Sequence, residues 1–208
     1  ARDVLHYDAA AGIVRPLAVA GPVIDAAPLG MPGGLPGAFQ AENAATALAA
    51  FFLLAAKLGI AVSADAVRRA LGQTRLPGRM QRFALPGAAG ELLLDCAHNV
   101  PALVALEAAL TAEGAAPAAM IFTCLVDKDF AGMAGIVRRL TTGPIIVPGL
   151  SCPGRTRDPA DVARKLGERA EAVPDVAAAL ARVRDIPGTV VVCGSMYLLA
   201  EVMGSFRS

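Results

Sequence analysis

The sequence has no tryptophan and holds only two histidines and four cysteines among its 208 residues. The cysteines, Cys96, Cys124, Cys152 and Cys193, are far apart and form no Cys-x-x-Cys pair, which argues against a zinc site. Three of them lie near the ends of apolar, strand-like runs, where a free cysteine behaves as a small buried hydrophobic residue. This usage favours a reducing compartment, and we expect a cytoplasmic protein.

Strong charge and long apolar runs are also missing. The net charge of +1 provides neither a basic field for nucleic acid nor an acidic field for cations. The longest apolar run, Ala44 to Ala56, is too short to span a bilayer and lies between Glu42 and Lys57. The chain starts at Ala1 without a methionine or a signal-like segment, so we expect a fragment without a secretion signal. Neither nucleic acid nor a membrane is an expected partner.

Several motifs of nucleotide and acyl-transfer chemistry are absent from the sequence. No Gly-x-Gly-x-x-Gly or Gly-x-x-x-x-Gly-Lys-Ser/Thr segment is present, so the chain has no phosphate-binding loop of its own. It also lacks a Gly-x-Ser-x-Gly nucleophile elbow, and Cys96 is a poor nucleophile candidate. We therefore interpret the chain as contributing ligand contacts, not a complete catalytic set.

Residues 1–74 predict a partial α/β unit. The segment Gln40 to Leu58 is apolar nearly all round, so we expect a buried helix that stops at Gly59. Ser63 is a suitable N-cap for a second, short helix that Gly72 would end. The predicted elements are two edge strands within Arg2 to Ala20, a strand at Pro22 to Leu29, a loop at Met31 to Gly37, and helices at Gln40 to Leu58 and Ala64 to Leu71.

Residues 75–208 predict a complete second unit, with a domain boundary near Gly72 to Arg75. Strands alternate here with helical stretches, which predicts a Rossmann-like α/β fold: a mostly parallel sheet with helices on both faces. The predicted strands are Met80 to Leu85, Glu91 to Leu94, Ala118 to Leu125, Pro144 to Val147 and Thr189 to Cys193. The predicted helices are Pro101 to Glu113, Phe130 to Leu140, Pro159 to Arg169, Val176 to Val183 and Met196 to Phe206.

Polar clusters follow three of these strands: Asp95 to Asn99, Asp127 to Asp129, and Gly194-Ser195. In an open α/β sheet, ligands bind beyond the carboxyl ends of the strands, so the clusters mark a candidate site. Each also has a structural explanation, because Asp, Asn and Ser at these places are ordinary helix caps. The loop Ser151 to Asp158 adds two arginines, Arg155 and Arg157, as either an anion clamp or a solvated surface.

Five motifs occur in a fixed order along the sequence. They are Phe39-Gln40-Ala41-Glu42-Asn43-Ala44-Ala45, Leu76-Pro77-Gly78-Arg79-Met80-Gln81, Asp95-Cys96-Ala97-His98-Asn99, Asp127-Lys128-Asp129 and Gly194-Ser195-Met196-Tyr197-Leu198. Together they resemble the folylpolyglutamate synthase family, which is often bifunctional with dihydrofolate synthase and belongs to the Mur ligase superfamily. The sequence departs from the family at Cys96, where a small residue is usual, and at Val100, which delays the expected proline by one position.

The resemblance implies that residues 1–74 are the C-terminal remnant of a central ATPase domain and that residues 75–208 are a Mur-ligase-type C-terminal domain. Such enzymes join L-glutamate to a folate or dihydropteroate carboxylate through an acyl phosphate made from ATP and Mg²⁺. The magnesium ligands and the phosphate loop would lie in a missing N-terminal ATPase portion, so the chain would be inactive alone. Asn43 would contact adenine, Asp95 the ribose hydroxyls and Arg79 the phosphates.

The resemblance also implies a glutamate site. His98, Lys128 and Ser195 would hold the incoming amino acid, with Lys128 supplying the charge that a carboxylate needs. Arg79, His98 and Lys128 are accordingly the candidate catalytic residues, and none is a metal ligand. Two alternatives stay open at this point: a peptidoglycan-precursor ligase of the same superfamily, or a nucleotide-binding module that has lost the chemistry.

Overall fold

The computed structural model describes residues 5–8, 13–16, 29–30, 39–84, 87–152 and 154–206. The chain forms two compact units, Ala1–Leu76 and Pro77–Ser208. The boundary follows Leu76, close to the position after residue 74 that the sequence predicts. Each unit is described by itself below.

The first unit combines a small antiparallel sheet with two helices. Its elements are β1 (Leu5–Asp8), β2 (Ile13–Pro16), β3 (Leu29–Gly30), α1 (Phe39–Leu58) and α2 (Ala64–Gln73). Strand β2 pairs antiparallel with both β1 and β3, so the predicted strand pair within residues 2–20 is confirmed. Residues 22–28 of the strand predicted at Pro22 to Leu29 lie outside the described residues, as does the predicted loop at residues 31–37.

Helix α1 is buried on one side only, so the prediction of an all-round buried helix is wrong. By length and composition α1 could cross a membrane, but core helices of globular proteins pass the same test. The spacing of its buried residues is that of a helix packed along a single apolar stripe. The buried apolar residues are Ala45, Leu48, Ala49, Phe52 and Ala55, and the large exposed apolar residues are Phe51, Leu53, Leu54 and Leu58.

Helix α2 begins as predicted and ends later than predicted. The Ser63 Oγ accepts a hydrogen bond from the Ala66 N–H at 3.2 Å, which confirms the N-cap. Gly72 lies inside the helix and does not end it, because a helical glycine costs only about 1 kcal/mol relative to alanine. The helix ends instead at Gln73, before the extended residue Thr74.

The second unit is a six-stranded sheet of order β4-β5-β9-β6-β7-β8 covered by five helices among the residues described. All neighbouring strands are parallel except β4 and β5, which confirms the predicted mostly parallel α/β fold. The elements are β4 (Gln81–Ala84), β5 (Gly90–Leu94), α3 (Val100–Ala112), β6 (Ala119–Phe122), α4 (Phe130–Leu140), β7 (Ile145–Pro148), α5 (Pro159–Leu166), β8 (Ala170–Val173), α6 (Val176–Val183), β9 (Gly188–Cys193) and α7 (Met196–Gly204).

The helices cover both faces of this sheet. The chain moves outward through α3, α4 and α5 and then returns from β8 to β9 through α6, so right-handed crossovers place α6 on the opposite face. Leu92 and Leu94 pack in one core cluster with residues of α6 and α7, including Val176 and Leu198. Side chains alternate along a strand, so the fully buried Leu93 faces α3 to α5 on the other side.

Strand β8 was not predicted. The helix predicted at residues 159–169 ends at Leu166, because Gly167 has a φ of +99° that other residues rarely adopt. The next segment, Ala170–Val173, is mostly exposed and has little intrinsic strand preference. Its pairing with β7 at the sheet edge makes it a strand, and that pairing is a tertiary effect.

Strand β6 is shorter than its predicted span. The sequence predicts a strand through Leu125, but the strand ends at Phe122. The backbone beyond it leaves the sheet because it pairs with a later loop. The Arg157 N–H donates to the Cys124 carbonyl at 2.9 Å, and Leu125 forms an isolated bridge with Thr156.

Gly194→Ala tests the close packing of the turn between β9 and α7 against the end of β6. Gly194 has a φ of +106°, and a Cβ there would lie 2.0 Å from the Thr123 carbonyl oxygen. We expect the free energy of unfolding to fall by roughly 2–4 kcal/mol, measured by urea denaturation. Gly135→Ala in α4 is the control, because its Cβ meets only Arg139 at 3.8 Å. Equal urea midpoints for wild type and Gly194→Ala would contradict this account.

Candidate active site

The three polar clusters meet at the carboxyl edge of the sheet. Strand β9 lies between β5 and β6, so the loops that follow these strands are neighbours. Backbone hydrogen bonds join the loop after β5 to the end of β9 and the loop that follows it: the Gly194 N–H donates to the Ala97 carbonyl at 2.7 Å, and the Asp95 N–H donates to the Val192 carbonyl at 3.0 Å. This edge is where an open α/β sheet binds its ligands.

Asp95 is a buried carboxylate at the end of β5, only 3% exposed. Its Oδ2 accepts a hydrogen bond from the Met80 N–H at 3.0 Å and its Oδ1 from the Ala97 N–H at 2.9 Å. Burial raises the pKa of the Asp95 carboxyl, while these N–H groups and the charge of Arg79 act in the opposite direction. Asp95 is not a helix cap. Asn99 caps α3, and its Oδ1 accepts from the Ala102 N–H at 2.9 Å.

Arg79 lies on a loop that is held at both of its neighbours. The Gly78 carbonyl accepts from the Cys96 N–H at 2.7 Å, and Met80 donates to Asp95. Met80 is 3% exposed and has a φ of +48°, a strained conformation for a residue other than glycine. Arg79 is a half-buried residue, and among the described residues its guanidinium forms no hydrogen bond or salt bridge, although its charge acts on Asp95. The loop therefore presents an unpaired cation beside Asp95.

His98 has a defined tautomer in this loop. Its Nδ1 lies 2.8 Å from the Cys96 carbonyl oxygen, which can only accept a hydrogen bond, so Nδ1 carries the proton. The neutral ring then offers Nε2 as an acceptor. Cys96 itself is a protonated thiol, because burial raises its pKa, and this agrees with its exclusion as a nucleophile.

Lys128 lies on the loop after β6, with its side chain 28% exposed. Its Nζ is 3.0 Å from Oδ2 of Asp127, and the hydrogen bond from Lys128 lowers the pKa of Asp127. Asp129 is the N-cap of α4, and its Oδ1 accepts from the Gly132 N–H at 3.0 Å. Asp129 is therefore an ordinary helix cap. The Lys128 side chain is partly exposed and can still bind an anion.

Arg157 supports the Lys128 loop, a role that the sequence left open. Its guanidinium donates to the Lys128 carbonyl at 3.1 Å and to the Val126 carbonyl at 3.3 Å, and it lies 5.7 Å over the Phe130 ring. The other loop arginine, Arg155, lies 5.5 Å over the Tyr197 ring. The only sequence signal for the contact between Arg157 and the Lys128 loop was the presence of an arginine in a Gly/Pro loop.

The remaining two predicted residues lie in different surroundings. Ser195 is fully buried, and its Oγ accepts from the Tyr197 N–H at 3.1 Å as the N-cap of α7. Asn43 belongs to the first unit, where its Nδ2 donates to Oε1 of Gln40 at 3.2 Å. Hydrogen bonds thus join the loop that carries Arg79 to the loop that carries Asp95 and His98. Lys128 lies on the neighbouring loop, which Arg157 supports. The ligand roles of all six residues stay predictions.

A metal centre has no ready ligands in the described part of the chain. No group of three His, Cys, Asp or Glu residues there is close enough to hold an ion. Three of the four cysteines are buried and all four are free, as expected for small buried hydrophobic residues.

Asp95→Asn tests the electrostatics of this site. A folded-state pKa above the unfolded one favours the protonated carboxyl, so wild type is most stable relative to Asp95→Asn below about pH 4, the unfolded pKa. This advantage should shrink as the pH rises through the native pKa, measured by urea unfolding between pH 3 and 7. Exposed Asp185→Asn should change the stability by less than about 0.5 kcal/mol throughout. A wild-type advantage that grows with pH would show that the two N–H groups outweigh burial.

Several solved structures are similar to most of this chain, and each match covers less than half of the other protein. FolC from E. coli in complex with DHPP and ADP is 28% identical, with a TM-score of 0.66, and the match covers 86% of this chain and 41% of that one. Bifunctional folylpolyglutamate synthase/dihydrofolate synthase from Yersinia pestis, complexed with AMPPNP and Mn, is 29% identical with a TM-score of 0.68. The match covers 86% of this chain and 41% of that one. A bifunctional folylpolyglutamate synthase/dihydrofolate synthase with Mn, AMPPNP and L-glutamate bound is 26% identical with a TM-score of 0.66. That match covers 88% of this chain and 43% of the other. The chain therefore spans about two fifths of the length of these relatives.

Sequence comparison assigns the second unit to a known family. No curated protein matches the sequence. The family model described as Mur ligase, glutamate ligase domain matches residues 78–196, which is more than half of the chain. This match and the similar structures confirm the resemblance inferred from the five motifs. The chain belongs to the Mur ligase family and carries its glutamate ligase domain.

Proposed function

We propose that the chain is part of an ATP-dependent amide ligase that adds L-glutamate to a folate, or to dihydropteroate. The observation that carries this proposal is the glutamate ligase domain itself, with Lys128 and Arg79 placed on supported loops at the carboxyl edge of its sheet. Relatives that are 26–29% identical hold ADP or AMPPNP, Mn and L-glutamate, which supports the same ligand classes here.

The nucleotide side of the site would use the loop beside β5. The unpaired Arg79 guanidinium suits the phosphates and the charge that develops during transfer. Both oxygens of Asp95 already accept one N–H each, and a carboxylate oxygen has a second lone pair that can accept a ribose hydroxyl. Asn43 in the first unit would contact adenine. ATP with Mg²⁺ would supply the phosphoryl group that activates the folate carboxylate, and we assign the magnesium ligands to parts of the ligase outside this chain.

The glutamate side would use the two neighbouring loops. The Lys128 ammonium would bind a carboxylate of the amino acid in competition with Asp127. His98 Nε2 would accept a hydrogen bond from the amino group and so orient its lone pair toward the activated carboxylate. Buried Ser195 would act through the start of α7, which it caps.

The first unit is proposed to be the end of the central ATPase domain. The matches to the similar structures cover 86–88% of the chain, which is more than the second unit alone. We also propose a cytoplasmic location, since all four cysteines are free thiols.

Lys128→Met tests the glutamate site directly. The substitution keeps the length of the side chain and removes its charge, so the Kd for L-glutamate should rise roughly ten- to a hundredfold in isothermal titration calorimetry. Lys57→Met, at the exposed end of α1, is the matched control and should bind like wild type. Unchanged glutamate affinity in Lys128→Met would contradict the assigned role.

A reconstituted assay tests the ligase activity. The chain is combined with the part of the ligase that its relatives carry beyond the matched two fifths, and ATP hydrolysis is measured. Hydrolysis should require both L-glutamate and a folate, and Arg79→Ala should lower kcat roughly a hundredfold. Arg75→Ala, an exposed arginine on the segment before the boundary, is the control. Hydrolysis with a muramyl substrate in place of a folate would favour the peptidoglycan-precursor ligase. No ATP hydrolysis with either substrate would favour the non-catalytic nucleotide-binding module.

A further inference from the structure

Three residues after β7, Arg155-Thr156-Arg157, pair with the turn that leads to Lys128 and are called the arginine segment here. Strands β6 and β7 are neighbours in the sheet, so the loops that follow them meet at its carboxyl edge. The Arg155 carbonyl accepts from the Val126 N–H at 3.0 Å, and the Arg157 N–H donates to the Cys124 carbonyl at 2.9 Å. The backbone before Lys128 is therefore held from outside its own loop.

The half-buried Arg157 side chain closes the same turn. Its Nη2 donates to the Val126 carbonyl at 3.3 Å and to the Lys128 carbonyl at 3.1 Å, while the guanidinium lies over the Phe130 ring. Arg157 forms no salt bridge among the described residues, so its hydrogen bonds there go to backbone carbonyls. A planar guanidinium suits two carbonyls at once, whereas the compact ammonium of a lysine does not.

The other arginine connects the arginine segment to α7. The Arg155 guanidinium lies 5.5 Å over the ring of Tyr197, and a cation in this position is attracted to the aromatic face. Tyr197 is in the first turn of α7, where its N–H donates to the Ser195 Oγ that caps the helix. The segment thus contacts both the turn with Lys128 and the start of α7, the two places that the proposed function assigns to L-glutamate.

We propose that the arginine segment fixes the spacing between Lys128 and the start of α7 and thereby selects the length of the amino acid, with Arg157 as the positioning residue. L-Aspartate is one methylene shorter than L-glutamate, and L-2-aminoadipate is one methylene longer. A site whose two sides are held in place cannot adjust to either, because binding depends on the position of each contact. The held turn rests on the contacts of the structure alone, whereas the preference for L-glutamate rests on the proposed function.

The test compares the Kd values of L-glutamate, L-aspartate and L-2-aminoadipate by calorimetric titration into the full chain. Arg157→Met removes the donors, and Arg157→Lys keeps the charge without the planar group. The matched control is Arg164→Met on α5, because this exposed arginine pairs with Asp161 away from the Lys128 turn. Amide hydrogen exchange at Val126 and Lys128 reports how firmly the turn is held, and urea midpoints check folding.

Tyr197→Leu is the second variant, and it carries the test if Arg157→Met lowers the urea midpoint strongly. It removes the ring beneath Arg155 from a residue that is 39% exposed, so the fold should tolerate it. Tyr197→Phe keeps the ring and should restore the wild-type selectivity.

Wild type should bind L-glutamate roughly tenfold or more tightly than either of the other two amino acids, because a misfit of one methylene has about this effect. Both Arg157 variants and Tyr197→Leu should lower this preference to about threefold or less. The Arg157 variants should also exchange the Val126 and Lys128 amides faster. Arg164→Met should match wild type in its preference and in its exchange rates.

An unchanged preference in Arg157→Met would overturn the proposal, whatever the exchange rates. A preference that Arg157→Lys retains in full would also overturn it, because charge alone would then be sufficient. If wild type binds none of the three amino acids, the proposed function fails. The exchange rates then decide the held turn: faster exchange in Arg157→Met supports it, and unchanged exchange overturns it.

Discussion

The Asp95 carboxylate joins the loop before β4 to the end of β5, and much of the candidate site depends on this contact. Burying a carboxylate without partners costs several kcal/mol, so its two backbone N–H donors are a condition for its presence in the core. One of these donors belongs to Met80, whose left-handed backbone is held in place by the same contact. Arg79 precedes Met80, and the contact therefore decides where this cation lies.

A second contact of the same kind supports the neighbouring loop. Arg157, from the loop after β7, donates to two carbonyls of the segment that carries Lys128. In both cases a charged side chain satisfies backbone groups of a loop that lies far away in the sequence. The two cations proposed to meet ATP and L-glutamate are thus set on backbone that other elements hold, which limits the reorganisation needed when a ligand binds.

The order of strands explains why these loops are neighbours. The outward path through α3 to α5 and the return through α6 place β9 between β5 and β6. Residues 95, 128 and 195 then follow three adjacent strands, although long stretches of sequence separate them.

Much of the second unit could be predicted from local patterns. Helices α4 and α6 have the predicted bounds, because their apolar spacing, their caps and the turns that flank them all agree. Strand β8 could not be predicted, since its sequence has little strand preference and only the pairing with β7 makes it one. The one-sided burial of α1 was missed for a similar reason, because an apolar composition does not say how many neighbours a helix will have.

The sequence alone determined the α/β class, most of the elements, the family resemblance and the list of polar residues at strand ends. These features follow from side-chain periodicity, capping and motif order, all of which are local properties of the chain. Only the tertiary structure decided that Asp95 is buried with both oxygens engaged, that Ser195 is enclosed, and that Arg157 supports Lys128. These depend on contacts between distant segments, and such contacts are set by strand order and packing.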